Sequence, residues 1–259
     1  MNSQPHPHIA ARVALVTGAA RRIGRHIALA LARAGWDVAV HYNRSRDEAD
    51  EVVREIEALG RRALAVRCEL GNEDEVRGLL QQAAPLGRVS CVVNNASLFD
   101  FDDAASFGHA RLLQHMGANV GAPVLLAQAL FEATPEGEQA VVINLLDQKL
   151  YNPNPDYLSY TLSKAALHSA TTLLAQALAP RVRVVGVAPG ITMLSGDQTA
   201  EQFDKAHQVT PLGKSSTPDD VAAAVCYLAS APAVTGATLL VDGGQHLLPL
   251  SRDVMFVAK

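Results

Sequence analysis

Seven short apolar runs rich in β-branched residues punctuate this chain, at 13–17, 38–42, 63–68, 89–94, 141–146, 182–187 and 237–242. Their regular recurrence leaves few folds open. Several are apolar almost throughout rather than alternating, the pattern of strands covered on both faces. Longer amphipathic stretches fill the intervals, and some carry helix start signals. Ser45-Arg46-Asp47-Glu48 has capping-box form, and Asn72 followed by Glu75 resembles it. Thr217-Pro218-Asp219-Asp220 sets a cap, a proline at the first helical position and acids in the first turn. Strand–helix alternation repeated this often requires a parallel sheet with right-handed crossovers and helices on both faces. The expected class is α/β. No Pro/Gly/Ser-rich linker divides the chain, so residues 11–259 read as one domain behind a disordered lead of residues 1–10.

A chain of 259 residues with 49% hydrophobic content can bury a substantial core. Its formal net charge of −4 includes no block of like charges, which argues against nucleic acid and anionic membrane as partners. No apolar run approaches the ~18–20 residues of a membrane span. The N-terminus lacks the basic start and apolar stretch of a secretory signal, and its His6 and His8 make a poor metal site. Cys68, Cys91 and Cys226 are far apart in apolar contexts and read as reduced core thiols of a cytoplasmic protein. No His/Cys/Asp/Glu cluster has metal-ligand spacing, so no metal is expected.

Ligands of such a sheet bind at the carboxyl ends of the strands. Polar and glycine residues gather at those ends: Thr17-Gly18, Asn94-Asn95-Ala96-Ser97, Asp147 and Pro189-Gly190. The first of these opens a nucleotide motif. Gly18 permits a tight turn, and Gly24 lets helix pack close to strand, while Arg22-Ile23-Gly24 begins a helix whose N–H groups suit a pyrophosphate. Arg22 stands where three-glycine versions have Gly, and its guanidinium can lie against a phosphate. After the second strand, Tyr42-Asn43-Arg44-Ser45 offers no acid for ribose hydroxyls. Arg44 and Ser45 suit a 2′-phosphate instead, which makes NADPH the expected cofactor. Glu69 and Leu70, after the third strand, complete the expected cofactor rim with Asn95, Ala96, Ser97, Pro189 and Gly190.

Tyr160 and Lys164 lie four apart in a segment that reads as helix over 157–179, hence on one face. A cation beside a phenol favours the phenolate and brings proton transfer within reach at neutral pH. Asp147 follows the fifth strand, thirteen residues before Tyr160. A bare Tyr-Lys pair is ordinary helix surface; the nucleotide motif beside it makes it the outline of an acid–base site.

Taken together, the glycine turn from Thr17 to Gly24, Asn94-Asn95-Ala96, Asn119, the Tyr160/Lys164 pair and Pro189-Gly190 resemble the short-chain dehydrogenase/reductase pattern in order and spacing. The resemblance covers about residues 12–245. It implies a single-domain doubly wound Rossmann fold with a seven-stranded parallel sheet, a nicotinamide cofactor, and a homotetramer or dimer. It also implies that Lys164 holds the nicotinamide ribose and lowers the Tyr160 pKa, and that Asn119 supports a water-linked proton path to Lys164. Two departures stand out: Asp147 where most members carry Ser, and Ser97 where most carry Gly. With Arg22 and the His41–Ser45 sequence, these resemble the pteridine reductase branch. That likeness implies Phe99 stacking a pterin ring, Asp147 and Tyr160 as proton donors, and Arg22 and Ser97 touching phosphates or pterin. Residues 191–214 fall where the family places a substrate-covering lid, with Met193 and Leu194 facing substrate and His207 incidental. The apolar C-terminal tail is expected to pack on a neighbouring subunit.

The chemistry fits the residue change. Ketone reduction needs only a neutral donor, whereas reducing a ring C=N requires a proton at nitrogen, which a buried carboxyl coupled to Tyr160 can pass. The expected activity is therefore NADPH-dependent reduction of a pterin-like substrate. Two alternatives stand beside it: reduction of carbonyl compounds or quinones with Asp147 in place of serine, and a non-catalytic NADPH-binding regulator. The regulator has no need of Asn119, Tyr160 and Lys164.

Overall fold

The seven apolar runs pair as seven parallel strands in a computed structural model that describes residues 12–194, 199–208, 210–253 and 256. In chain order the strands are β1 (Val13–Val16), β2 (Asp37–Tyr42), β3 (Ala63–Arg67), β4 (Val89–Asn94), β5 (Ala140–Leu145), β6 (Val182–Pro189) and β7 (Thr238–Val241). Spatially they run β3-β2-β1-β4-β5-β6-β7. The order reverses between β1 and β4, which opens a crevice at their carboxyl ends. All five inner strands are buried almost end to end, whereas the edge strands β3 and β7 are only partly covered. This explains why the inner runs show no alternation.

The helices, among the described residues, are α1 (Arg22–Arg33), α2 (Arg46–Ala58), α3 (Glu73–Arg77), α4 (Leu79–Gln82), α5 (His109–Met116), α6 (Ala122–Ala133), α7 (Leu158–Leu178), α8 (Ala200–Gln208) and α9 (Pro218–Ser230). Helices α1, α2 and α9 cover one face of the sheet, with Ile27, Leu31, Val52, Ile56, Val221 and Val225 in its core. The other face is covered by α3, α4, α6 and α7, through Val76, Leu79, Leu126, Leu130 and Ala175. Each fully buried Val, Leu or Ile contributes about 1.5–3 kcal/mol. A buried polar ladder binds the layers near the crevice. Asn94 Nδ2 donates to Asn144 Oδ1 at 2.8 Å, and Asn144 Nδ2 to Thr171 Oγ1 on α7 at 2.9 Å. These neighbours are in register, Asn94 opposite Asn144.

Two expectations need correction, and one falls elsewhere. Ser45 precedes α2, yet its side chain makes no capping bond, because the residue has left the extended backbone a cap needs (φ −91°, ψ 64°). Asn72 does cap α3, but Glu75 turns to the Glu69 N–H at 2.8 Å rather than closing a box. Thr217 and Asp220 form the expected box on α9. The described part of the tail makes contacts within its own chain. The buried Asp156 carboxylate captures both Arg252 and the Asp253 N–H, the latter at 2.7 Å, and Phe256 lies edge-on to Phe101. The lead at 1–10, with His6 and His8, lies outside the described residues.

Candidate active site

The crevice starts from the turn after β1. Thr17 Oγ1 accepts from the Asn95 and Ala96 N–H groups at 2.9 and 3.0 Å, and Asn95 Nδ2 donates to Thr17 O at 2.9 Å. The ends of β1 and β4 are thus tied together. Gly18 adopts φ +63°, and a Cβ on Gly24 would lie 2.2 Å from Gly18 O. Only glycine fits there, so the backbone at the start of α1 is bare, as a pyrophosphate cradle requires. His41 braces the turn from below. The Gly18 N–H donates to its Nδ1 at 2.9 Å, so Nε2 carries the proton and donates to Cys68 O at 3.0 Å. Burial lowers the His41 pKa and keeps this tautomer neutral.

At the ends of β2 and β3, Tyr42 is buried, Asn43 donates to the Glu69 carboxylate, and Leu70 is half-buried nearby in sequence. Arg44 is exposed and makes no hydrogen bond or ion pair with any described residue. It is a cation available at the place where a 2′-phosphate is expected.

The acid–base residues come from β5 and α7. Tyr160 donates its hydroxyl to Asp147 Oδ2 at 2.8 Å. The Lys149 N–H donates to Asp147 Oδ1 at 2.8 Å, which makes the aspartate the cap of a short turn, Gln148–Leu150. One turn along α7, Lys164 Nζ donates to Leu145 O at 2.7 Å and lies 5.7 Å from the centre of the Tyr160 ring. Burial pushes the Asp147 carboxyl up, with the charge of Asp253 adding to it; the Lys149 N–H, the Tyr160 hydroxyl and Lys164 offset part of the rise. Burial and the Asp147 charge push the Tyr160 phenol well above 10. Burial pulls Lys164 down to about 8, against the opposing charge of Asp147. The expectation that Lys164 lowers the Tyr160 pKa is therefore corrected for this chain. Desolvation and the Asp147 carboxylate push the phenol up, and it stays protonated at neutral pH. The hydrogen bond between them can hold one proton.

Asn119 sits in a π-helical turn, Gly117–Gly121, and is buried. Its side chain accepts from Leu98 N at 2.8 Å and donates to Leu98 O and Ser163 Oγ, both at 3.0 Å. It braces the loop after β4 and has no bond to Lys164 among the described residues. That loop is pinned a second time where Asp102 accepts from Ser159 N at 2.8 Å and Leu158 N donates to Asp102 O at 3.1 Å. The two anchors set Phe99 flat against Tyr157 (centroids 4.2 Å apart) and edge-on to Tyr160 (4.7 Å).

These groups surround a cavity of about 450 Å³. Its lining brings together Arg22, Ile23, Asn95, Ser97, Phe99, Asp147, Tyr160, Lys164, Pro189, Gly190 and Met193, all expected from sequence. Gly18, Gly24 and Ala96 shape its floor without lining it, while Tyr42, Asn43, Arg44, Ser45, Glu69 and Leu70 stand outside it, at the ends of β2 and β3. Leu194 is exposed, and its carbonyl, not its side chain, is engaged, by Arg22 Nη1 at 2.8 Å. His207 bonds Ser216 O and the Ser215 N–H, an anchor for α8 rather than a chemical group. Sequence reading missed Gln148, Gln245 and Asp253 in the lining. A larger cavity of about 790 Å³ lies at the opposite end of the sheet. Its Arg12, Arg62, Arg88 and Arg183 are already bonded within the chain, and it holds no acid–base pair.

A family model described as enoyl-(acyl carrier protein) reductase matches residues 18–246. The 3-oxoacyl-(acyl-carrier-protein) reductase of Synechocystis is 34% identical over 91% of this chain and 97% of its own. Among solved structures, FolM alternative dihydrofolate reductase 1 from Brucella canis, complexed with NADP, is 39% identical. It has a TM-score of 0.86 and covers 92% of this chain and 95% of its own. The angucycline C-6 ketoreductase LanV with bound NADP is 32% identical with a TM-score of 0.83, over 92% and 96%. The chain belongs to the short-chain dehydrogenase/reductase family, oxidoreductases that work with a nicotinamide cofactor. Within that family it resembles reductases of a heterocycle and of carbonyl groups alike.

Proposed function

We propose that the protein is an NADPH-dependent reductase of a pterin-like heterocycle, a dihydropterin or dihydrofolate. The observation that carries this reading is the 2.8 Å bond from Tyr160 to a buried Asp147 whose carboxyl is pushed up by its surroundings. The glycine turn fits a dinucleotide, since a Cβ at Gly24 would strike the turn, and Arg44, which bonds no described residue, fits its 2′-phosphate. When bound, NADPH supplies a hydride to the carbon of a ring C=N, the ring nitrogen takes a proton, and the ring gains two electrons. This chain's residues do the rest. Asp147 and Tyr160 hold one shared proton between Oδ2 and the phenol oxygen and give it to the nitrogen. Lys164 stands behind the phenol as the ribose-holding cation. Phe99 offers a flat apolar wall, Ser97 and Arg22 offer polar contacts at the cofactor side, and Met193 closes the cavity from the lid. Support also comes from the likeness to the alternative dihydrofolate reductase.

The carbonyl-reducing relatives favour a second reading, in which Asp147 merely replaces a serine. NADPH oxidation by the purified protein separates the two, with dihydrobiopterin and dihydrofolate assayed beside ketones and quinones. We expect dihydropterin turnover that falls by about 10²-fold or more in Asp147→Ala and Tyr160→Phe. Ketone reduction that survives Asp147→Ala, with no pterin turnover, would establish the second reading instead.

We further place the enzyme in a reducing cytoplasm, on thiols that burial pushes up to about 11 at Cys68 and about 12 at Cys91. No described helix is long and apolar enough to cross a membrane. Assembly into a homotetramer or dimer is the third part of the proposal, supported by the exposed apolar side chains of α5, α7, α9 and β7.

A further inference from the structure

The C-terminal tail brings a second carboxylate into the substrate cavity. Asp253 lines the same space as Asp147 and Phe99, and its position is fixed from several sides. Its backbone N–H donates to Asp156 Oδ2 at 2.7 Å, and the neighbouring Arg252 Nε reaches both oxygens of the same carboxylate at 3.0 and 2.8 Å. Its side chain takes the Lys149 ammonium at 3.2 Å, from a lysine that is only 3% exposed. The same lysine gives its backbone N–H to Asp147 at 2.8 Å. Residue 149 therefore holds both carboxylates, one by main chain and one by side chain, and sets them at a fixed offset.

The cavity is divided by charge. Its lining cations, Arg22 and Lys164, belong to the cofactor side, at the glycine turn and beneath the phenol. The substrate side carries Asp147 and Asp253. Asp147 is committed to Tyr160 and the Lys149 N–H. A carboxylate has about four lone-pair sites, so Asp253 can keep Lys149 and its other contacts and still accept from a ligand. A planar carboxylate is matched best by two parallel N–H donors.

We propose that Asp253 is a specificity-determining residue: its carboxylate accepts from an amidine edge of the substrate, a ring N–H beside an exocyclic amino group. This rests on the ring-reducing function proposed above, and it adds which edge of the ring is read and by which residue. Asp147 gives the proton at one nitrogen while Asp253 holds the ring by a second edge, so the heterocycle is oriented at two points. Ketones and quinones bring no N–H donor and would strip water from Asp253 without replacing it, which a largely buried carboxylate resists.

The test uses the NADP-loaded protein and two flat ligands that differ at this edge, pterin (2-amino-4-oxo) and lumazine (2,4-dioxo), with affinities from calorimetry. Wild type is expected to bind pterin about ten-fold or more tightly, as a charge-assisted pair implies. In Asp253→Asn and Asp253→Ala the preference falls to within about two-fold, while NADPH affinity reports an intact cofactor side. If Asp253 only anchors the tail, both ligands weaken together and the preference persists, which overturns the inference. Equal binding of the two ligands by wild type overturns it without any variant. Dihydropterin turnover with a preference that survives Asp253→Asn sinks this inference and leaves the proposed function standing. An Asp253-dependent preference without any dihydropterin turnover does the reverse.

Discussion

At the scale of single residues, Asp147 and Tyr160 are governed by burial more than by the cation beside them. Asp147 has a folded-state pKa raised above 3.8. A group raised in this way contributes stability that is fully present below its unfolded pKa and lost as pH rises through the folded value. Once pH passes that raised value, the charged carboxylate is therefore a destabilising group that the fold carries. Asp147→Asn keeps an acceptor for the Lys149 N–H and removes the charge. We expect its melting temperature to match or exceed wild type at pH 7, with the advantage shrinking towards pH 4, while activity falls. Thermal melts across that range check this, and a variant that loses ground as pH rises would contradict it. The Tyr160–Asp147 pair was legible because both residues sit at positions that spacing marks, a strand end and a helix face. Asp253 was not, since it meets Lys149 across a separation of 104 residues, and no local pattern announces such a contact. The brake on Tyr160 ionisation was hidden for the same reason: burial is a property of the packed molecule.

Among the elements, the strands were read to within two residues at each end, because fully covered strands are apolar from end to end. Helix α7 was placed within one residue. Caps were less legible. Thr217 and Asp220 form their box, but Ser45 does not cap, since a capping sequence fixes composition and not the backbone angles the bond requires. The π-helical turn at Asn119 and the anchoring of the β4 loop by Asp102 left no trace in periodicity. The junction of β1 and α1 yields a test of its own. Arg22 opens α1 at φ +52°, a left-handed conformation that costs a non-glycine residue roughly 1–2 kcal/mol. Its guanidinium donates to Leu194 O at 2.8 Å, linking the nucleotide turn to the lid. Arg22→Gly relieves the backbone and removes that link. Stability is expected to hold or rise by up to about 1 kcal/mol, while the NADPH dissociation constant rises about ten-fold. Chemical denaturation and cofactor titration read the two effects separately. Unchanged NADPH affinity would restrict Arg22 to the lid.

On the scale of the whole molecule, the chemistry lies on one rim of the sheet and the unpartnered apolar surface on its flanks. Leu113 of α5 is 56% exposed, and Leu162 and Leu173 of the adjoining α7 are 45% and 64% exposed. A second group lies on α9 and the edge strand β7, where Tyr227 is 58% and Leu239 40% exposed. Scattered surface leucines need no explanation. Grouping on two neighbouring helices, and again beside an incompletely covered sheet edge, supports the proposed self-association. Two different self-complementary faces generate a closed tetramer, each face meeting its own copy across a two-fold axis. Sedimentation velocity at micromolar concentration is therefore expected to give a tetramer. Leu173→Glu should split it into dimers held by the β7 side, and Tyr227→Glu into dimers held by α7. The double variant should sediment as a monomer, because a buried unpaired carboxylate at each contact costs several kcal/mol. A monomeric wild type would refute the assembly and leave the Tyr160–Asp147 hydrogen bond, which lies within one chain, as it is.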